Sequence, residues 1–281
     1  MPSLKEPKPN EEIGVTTSSM QHVAGEVVTV TVSNPTRLNS LNTTILDELI
    51  STIASLAQRP DLRCVIVTGG PCVGSRRAFI GGADISEMKD FSNAQAARTF
   101  ITKIHLACSA LRNLQVPVLA RVNGHALGGG LVIMAATDLR IAVPDALFGM
   151  PEVQRGVPST VESALLPVQI GAARTRRLVL LGDTISAREA ESWGLIDKVV
   201  QVDELDKAVD DWVQILLSAG PRALSAQKRL LAIWEQVPLG AAIEAGVWEW
   251  GKAFEDPGLQ AEGRKMMTEF WAQNQRRKIK L

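Results

Sequence analysis

The stretch Gly124 to Gly130, GHALGGG, constrains this chain more than any other. It follows an apolar run, Val118 to Val122, that reads as a strand. It opens a segment, Gly128 to about Thr137, that reads as a helix. A strand feeding directly into a helix points to an α/β architecture. Consecutive glycines at a helix start expose backbone N–H groups and let another group approach the chain closely. The helix dipole there favours an oxygen carrying negative charge. Read alone, the glycines serve tight helix–strand packing equally well. A dinucleotide site fits poorly, because the glycines fall late in the chain and lack GxGxxG spacing.

The rest of the chain extends the α/β reading. Glu26–Val32, Leu62–Thr68, Leu139–Val143 and Leu195–Val200 read as further strands. Asn42 is a candidate cap for a helix to about Gln58, with Ile45, Leu46, Leu49, Ile50 and Ile53 on its apolar face. Helices are also expected over Asn93–Leu114, Ser159–Gln169 and Ala172–Leu181, and from a capping box at Ser186 and Glu189 to about Trp193. After Asp203 everything reads as helix, broken at Gly220-Pro221, Pro238 and Pro257. The expected organisation is a mobile tail over 1–19, an α/β core over 20–202, a helical region over 203–275 and a basic solvated tail over 276–281. Strand spacing is too irregular for a (β/α)8 barrel.

Composition excludes several classes. Lys+Arg 30 balances Asp+Glu 30, so no global field attracts a polyanion, and nucleic acid is not an expected partner. Cys64, Cys72 and Cys108 are an odd number without CxxC spacing, which argues against a disulfide framework or a zinc site and for an intracellular chain with reduced thiols. No metal is expected. No apolar run is long enough for a bilayer, and no secretory signal is visible, so a cytoplasmic location is expected. The final Ile279-Lys280-Leu281 resembles a peroxisomal address only in part, since Ile replaces a small residue. P-loop, GxSxG and HExxH motifs are absent. His22, His105 and His125 are scattered and read as surface or core histidines.

Two further segments carry chemistry. Ala78 to Ile85, AFIGGADI, is a second glycine turn after a strand, and two such turns could aim N–H groups at one carbonyl oxygen. An ordinary glycine turn is the plainer reading. In Phe148 to Glu152, FGMPE, Pro151 fixes the chain before a carboxylate flanked by Met150 and Val153. That setting suits a raised pKa and proton transfer, although an exposed loop glutamate fits the same residues.

Together these segments resemble the crotonase (enoyl-CoA hydratase/isomerase) superfamily. Asn34-Pro35 with Leu38 to Leu41 is similar to its N-P-x-x-x-N-A/S-L segment, and Ala78 to Asp84 to its A-F-x-x-G-A-D. Asn123 to Gly130 resembles N-G-x-A-x-G-G-G, Phe148 to Glu152 F-G-x-P-E, and Gly194 to Asp197 G-L-V-D/N. The resemblance spans about Glu26 to Val200. It implies a spiral of ββα turns with a helical C-terminal trimerisation region, assembled as trimers or hexamers. It implies an acyl-CoA thioester substrate and no cofactor besides the coenzyme A that the substrate carries. Ala83 and Gly129 would donate the two N–H groups that hold the thioester oxygen. Arg37, Leu38, Gly82, Asp84, Ile85 and Val132 would join them around the substrate, with Arg37 near the CoA phosphates.

One departure decides the chemistry. Family hydratases carry a glutamate two residues after the triple glycine; here that position is Val132. Their second glutamate is present as Glu152. One reading is a hydratase/dehydratase in which Glu162 replaces the missing carboxylate, although Ser159 and Glu162 also fit a capping box. The alternative is a 3,2-enoyl-CoA isomerase with Glu152 as single base. A third is an acyl-CoA- or nucleic-acid-binding protein without catalysis. Met88, Trp234, Trp248 and Trp250 read as core or subunit-contact residues.

Overall fold

A computed structural model describes residues 13–278. Among the described residues, ten strands form two sheets. Strands β1 (Gly14–His22) and β2 (Gly25–Ser33) make an antiparallel hairpin paired over its whole length. The chain then forms helix α1 (Thr43–Leu56), strands β3 (Leu62–Gly69) and β4 (Ala78–Ile80), the short α2 (Ile85–Met88) and the long α3 (Ala94–Asn113). Strands β5 (Val118–Val122) and β6 (His125–Leu127) lead into α4 (Gly129–Ala135); β7 (Leu139–Ala142) and β8 (Leu147–Gly149) follow. Helices α5 (Leu166–Ile170) and α6 (Ala172–Leu181) precede β9 (Thr184–Ser186), α7 (Ala187–Trp193) and β10 (Lys198–Val199). The larger sheet has the order β1-β2-β3-β5-β7-β10 and the smaller β4-β6-β8-β9. Beyond the β1–β2 hairpin, each successive pair, β3 and β4, β5 and β6, β7 and β8, β9 and β10, gives one strand to each sheet, which is the expected spiral of ββα turns.

The physical basis is direct. Beyond the hairpin the larger sheet is parallel. Parallel strands are covered on both faces, and β3 and β5 are accordingly near-continuous apolar runs whose Cys64, Val65, Val67, Val118, Leu119 and Ala120 are fully buried. Helix α1 starts where Asn42 accepts a hydrogen bond from the Ile45 N–H at 2.8 Å, and α3 where Asn93 accepts from the Ala96 N–H at 2.9 Å. Ile45, Leu46, Leu49 and Ile53 are buried as expected, and Ile50 packs partly buried against the same core.

Four expectations change. Residues 14–19 are not tail: they form most of β1, whose mainly exposed polar side chains give no alternation signal, so the backbone ladder to β2 defines the strand. Residues 1–12 lie outside the described residues. The helix expected over Ser159–Gln169 is a 3-10 turn, Val161–Leu165, followed by α5. The expected strand Leu195–Val200 shrinks to the two residues of β10. At Ser186 only half of a capping box forms, because the Glu189 carboxylate turns to Arg177.

The C-terminal helices are α8 (Leu205–Ser218), α9 (Pro221–Trp234), α10 (Leu239–Glu255) and α11 (Pro257–Lys278), separated at the expected glycine and proline breaks. Helix α11 includes positions 276–278 of the expected basic tail, and Ile279, Lys280 and Leu281 lie outside the described residues. Lys228 of α9 is buried and donates to Leu111 O, Val116 O and Asp138 Oδ2 at 3.2, 3.0 and 2.7 Å, clamping the helical region to the core. No helix among the described residues is long and apolar enough to cross a membrane.

Candidate active site

The site begins where β4 and β6, paired in parallel, release the chain side by side. After β4, Leu41 makes a parallel bridge to Ala83: the Leu41 N–H donates to Gly82 O, and the Asp84 N–H donates to Leu41 O, both at 2.8 Å. These bonds occupy the groups on either side of Ala83 and leave its own N–H out of the ladder. After β6, Gly129 is the first residue of α4, so its N–H has no partner within the helix. A Cβ placed on Gly129 would lie 3.5 Å from the Ala83 nitrogen. Two backbone donors therefore stand next to each other.

Each glycine of the triplet has its own cause. Gly128 has φ +50°, and a Cβ there would meet Glu152 Oε1 at 2.6 Å. A Cβ on Gly130 would come within 1.9 Å of Ile80 O, so this glycine lets α4 lie against β4. Gly129 meets only ordinary contacts.

Glu152 enters from the turn after β8. The Gly128 N–H donates to Gly149 O at 2.9 Å, tying that turn to the start of α4. Pro151 opens a 3-10 turn, and the Glu152 side chain reaches back to Gly128. Burial pushes its carboxyl above the ordinary glutamate value, while a backbone N–H and the Ser159 hydroxyl, which donates to Oε2 at 3.0 Å, pull it part of the way back.

Glu162 does not cap a helix. Ser159 is engaged with Glu152, and Thr160 stands at the cap position with no side-chain bond. The Glu162 side chain, 9% exposed, points instead to α3, where Oε1 is 2.7 Å from His105 Nδ1. Its Oε2 is buried with no hydrogen-bond partner among the described residues. Burial and then the Glu162 carboxylate push the Cys108 thiol up, which sets that carboxylate beside Cys108. Cys108 Sγ in turn lies 3.8 Å from Val132 O. Val132 itself is 3% exposed and offers no polar side chain. A carboxylate thus approaches the region of Val132 from the neighbouring turn. Val161, just before Glu162, has φ +49°, an outlier for a β-branched residue.

The remaining expected residues gather around the first donor. Leu38 O accepts from the Gly81 N–H at 2.8 Å. Leu38 and Asn39 are both left-handed, and buried Asn39 accepts from the Asn34 N–H and donates to Gly70 O and Ala78 O. Asp84 is buried, caps α2 and pairs with Arg37 at 3.2 Å, and Ile85 is exposed beside it. Arg37 is half exposed and also donates to Ser86. An apolar cavity of about 500 Å³ adjoins Ser159 and is lined by Val153, Pro158, Val161 and Val179. Reading the sequence missed His105 and Ser159. His105 is 57 residues from Glu162, and no local pattern joins them. His125 is structural, its Nδ1 accepting from the Leu147 N–H at 3.1 Å. Among the described residues, no three His, Cys, Asp or Glu side chains converge as metal ligands.

Comparison with known proteins identifies the family. Residues 22–271 match the model of the family described as enoyl-CoA hydratase/isomerase. The short-chain-enoyl-CoA hydratase of Clostridium acetobutylicum is 32% identical over 231 residues, 82% of this chain and 87% of that protein. The crotonyl-CoA hydratase of Syntrophomonas wolfei is 33% identical over 224 residues, 79% and 84% of the two chains. The crystal structure of an enoyl-CoA hydratase from Bacillus anthracis superposes with a TM-score of 0.79 at 28% identity, covering 90% of this chain and 96% of that one. The fold and the paired donor turns define a crotonase-type enzyme scaffold. The chain belongs to the enoyl-CoA hydratase/isomerase family.

Proposed function

We propose that this chain is an enoyl-CoA hydratase/dehydratase with Glu152 and Glu162 as its two acid/base groups. The observation that carries the reading is the buried Glu162 carboxylate, free of any capping role and with Oε2 unpartnered. In the hydration direction, Glu162 takes a proton from water as the water oxygen bonds to C3 of a 2-enoyl thioester. The displaced electron pair moves onto the thioester oxygen, where the Ala83 and Gly129 N–H groups stabilise it. Collapse of that enolate takes a proton from Glu152 at C2. Each donor matters because it meets charge that develops in the transition state; loss of one oxyanion donor typically lowers turnover by about 10²–10³-fold. The raised pKa of Glu152 supports its part, since burial helps the carboxyl keep the proton that it must deliver to C2. Arg37, at the exposed rim beside Asp84, suits the phosphates of coenzyme A. No cofactor is needed beyond the coenzyme A of the substrate.

Val132 favours a second reading, a 3,2-enoyl-CoA isomerase in which Glu152 alone moves a proton between carbons. A panel of 2-enoyl-, 3-enoyl- and 3-hydroxyacyl-CoAs separates the two, with water gain or loss followed by mass and bond migration by NMR. The wild type should add and remove water. Glu162→Gln should lower water addition by about 10²-fold or more while solvent deuterium exchange at the α carbon continues. Undiminished hydration in Glu162→Gln would refute the assigned role. Bond migration without water exchange in the wild type would establish the isomerase.

We also propose self-association as a trimer or a pair of trimers. Val247, Trp248, Trp250, Phe270 and Trp271 on α10 and α11 are each at least 65% exposed, more apolar surface than a lone chain usually leaves in water.

A further inference from the structure

Glu162 stands on an unusual support. It follows the left-handed Val161, it is buried, and it is bracketed by two α3 side chains one helical turn apart, His105 and Cys108. Cys108 is a buried thiol held in its neutral form, so beside the carboxylate it contributes no charge and at most a weak S–H donor. His105 is different: its side chain is 52% exposed, yet Nδ1 is 2.7 Å from Glu162 Oε1. An ionised carboxylate can only accept, so the hydrogen of this bond belongs to Nδ1, and the imidazole is the donor. With Oε1 held by this strong donor, the carboxylate, and with it Oε2, has a fixed direction.

From this geometry we infer that His105 is the positioning residue for Glu162: its Nδ1–H holds Oε1 so that Oε2 faces the reacting water. The inference rests on the hydratase reading above. It also accounts for how a carboxylate carried on a 3-10 turn can replace one carried on α4. A glutamate on a helix has its rotamer limited by the preceding turn. One on a short turn needs an external bond for the same precision, and a misplacement of about 1 Å can reduce turnover about 10²-fold. His105 touches neither substrate nor water in this role.

The test uses four variants of the full chain, His105→Ala, His105→Asn, Glu162→Gln and the double His105→Ala/Glu162→Gln, each checked for folding by circular dichroism. Hydration of a short 2-enoyl-CoA thioester gives kcat and KM, and α-carbon deuterium exchange reads Glu152 separately. His105→Ala should lower kcat for hydration by about 10–100-fold with KM changed by less than about threefold and α-exchange retained. Asn can donate from Nδ2 near the position of the imidazole Nδ1, so His105→Asn should recover most of the loss. In the double variant, loss of His105 should add little to loss of Glu162, because the two act as a unit. If Glu162→Gln hydrates like the wild type, the two-carboxylate reading fails and His105 loses its role with it. If Glu162→Gln is crippled while His105→Ala turns over normally, the hydratase reading stands and only the His105 inference falls. An Asn variant as slow as the Ala variant, or fully additive losses in the double variant, also overturns it.

Discussion

Glu152 is poised between two opposed influences, burial that favours its neutral form and hydrogen bonds that favour its ionised form. Because burial prevails, proton transfer by Glu152 should show a pH limb above the ordinary glutamate value. Ser159→Ala removes a donor to the carboxylate and should move that limb to still higher pH, measured as the pH profile of α-carbon deuterium exchange; an unmoved limb would mean that Ser159 does not tune the group. The same shift has a sign for stability. The folded chain holds the Glu152 proton more tightly than the unfolded chain does. The favourable contribution is therefore full below the unfolded pKa and is lost as pH rises through the folded one. Glu152→Gln should consequently gain stability relative to wild type on going from about pH 4 to about pH 7, read from denaturant midpoints at the two pH values. At Val161, left-handed strain of about 1–3 kcal/mol is held in place by the surrounding structure next to Glu162.

At the scale of elements, the junction of β6 and α4 shows how one short glycine run meets three different demands. Alanine substitution should separate them. Gly129→Ala meets only ordinary contacts and should fold with near-native stability. Gly128→Ala places a methyl on the Glu152 carboxylate and adds left-handed strain, so kcat should fall far more than expression or solubility does. Gly130→Ala drives a Cβ into the backbone of β4 and should lower stability by about 3 kcal/mol or more, or prevent folding. Thermal midpoints and kcat for the three proteins check this ranking. Equal stability of Gly129→Ala and Gly130→Ala would contradict the packing argument. The neighbouring strands explain why the smaller sheet escaped the sequence. β4, β6, β8 and β9 have three residues each, too few for any periodicity to appear. β4 and β6 border the segments that read as glycine turns, β8 leads into Pro151 and β9 ends at the Ser186 cap, and only pairing with one another makes them strands.

Over the whole molecule, the helical region has two faces. One is clamped to the core through Lys228, whose ammonium replaces water with two carbonyls and Asp138. The other exposes Trp248, Trp250, Phe270 and Trp271. In sedimentation velocity the wild type should run as a trimer or larger, and the Trp248→Glu/Trp250→Glu double variant should shift toward the monomer. A monomeric wild type would show that these helices serve another purpose. The three cysteines are all unpaired, Cys64 and Cys108 in the core and Cys72 partly buried.

The sequence by itself determined the backbone of the site. Glycine, proline and Asn-cap positions act locally, through allowed φ and through hydrogen bonds within a few residues. For that reason α1, α3, α4 and the breaks between the C-terminal helices were legible without coordinates, while the donor roles of Ala83 and Gly129 were expected only from the family resemblance. Glu152 was legible as a candidate because Pro151 fixes the chain just before it, although an exposed loop glutamate fitted the same residues. What Glu162 does was not. Within its own segment a capping box and a catalytic carboxylate are indistinguishable, since both place an acid three residues after Ser159. Tertiary structure decided against the cap: Ser159 bonds to Glu152, seven residues back, and Glu162 bonds to His105, 57 residues back. Hydrogen bonds of that sequence separation leave no periodic trace, because their partners are chosen by how α3, α4 and the turn after β8 pack together, and that packing is a property of the whole core.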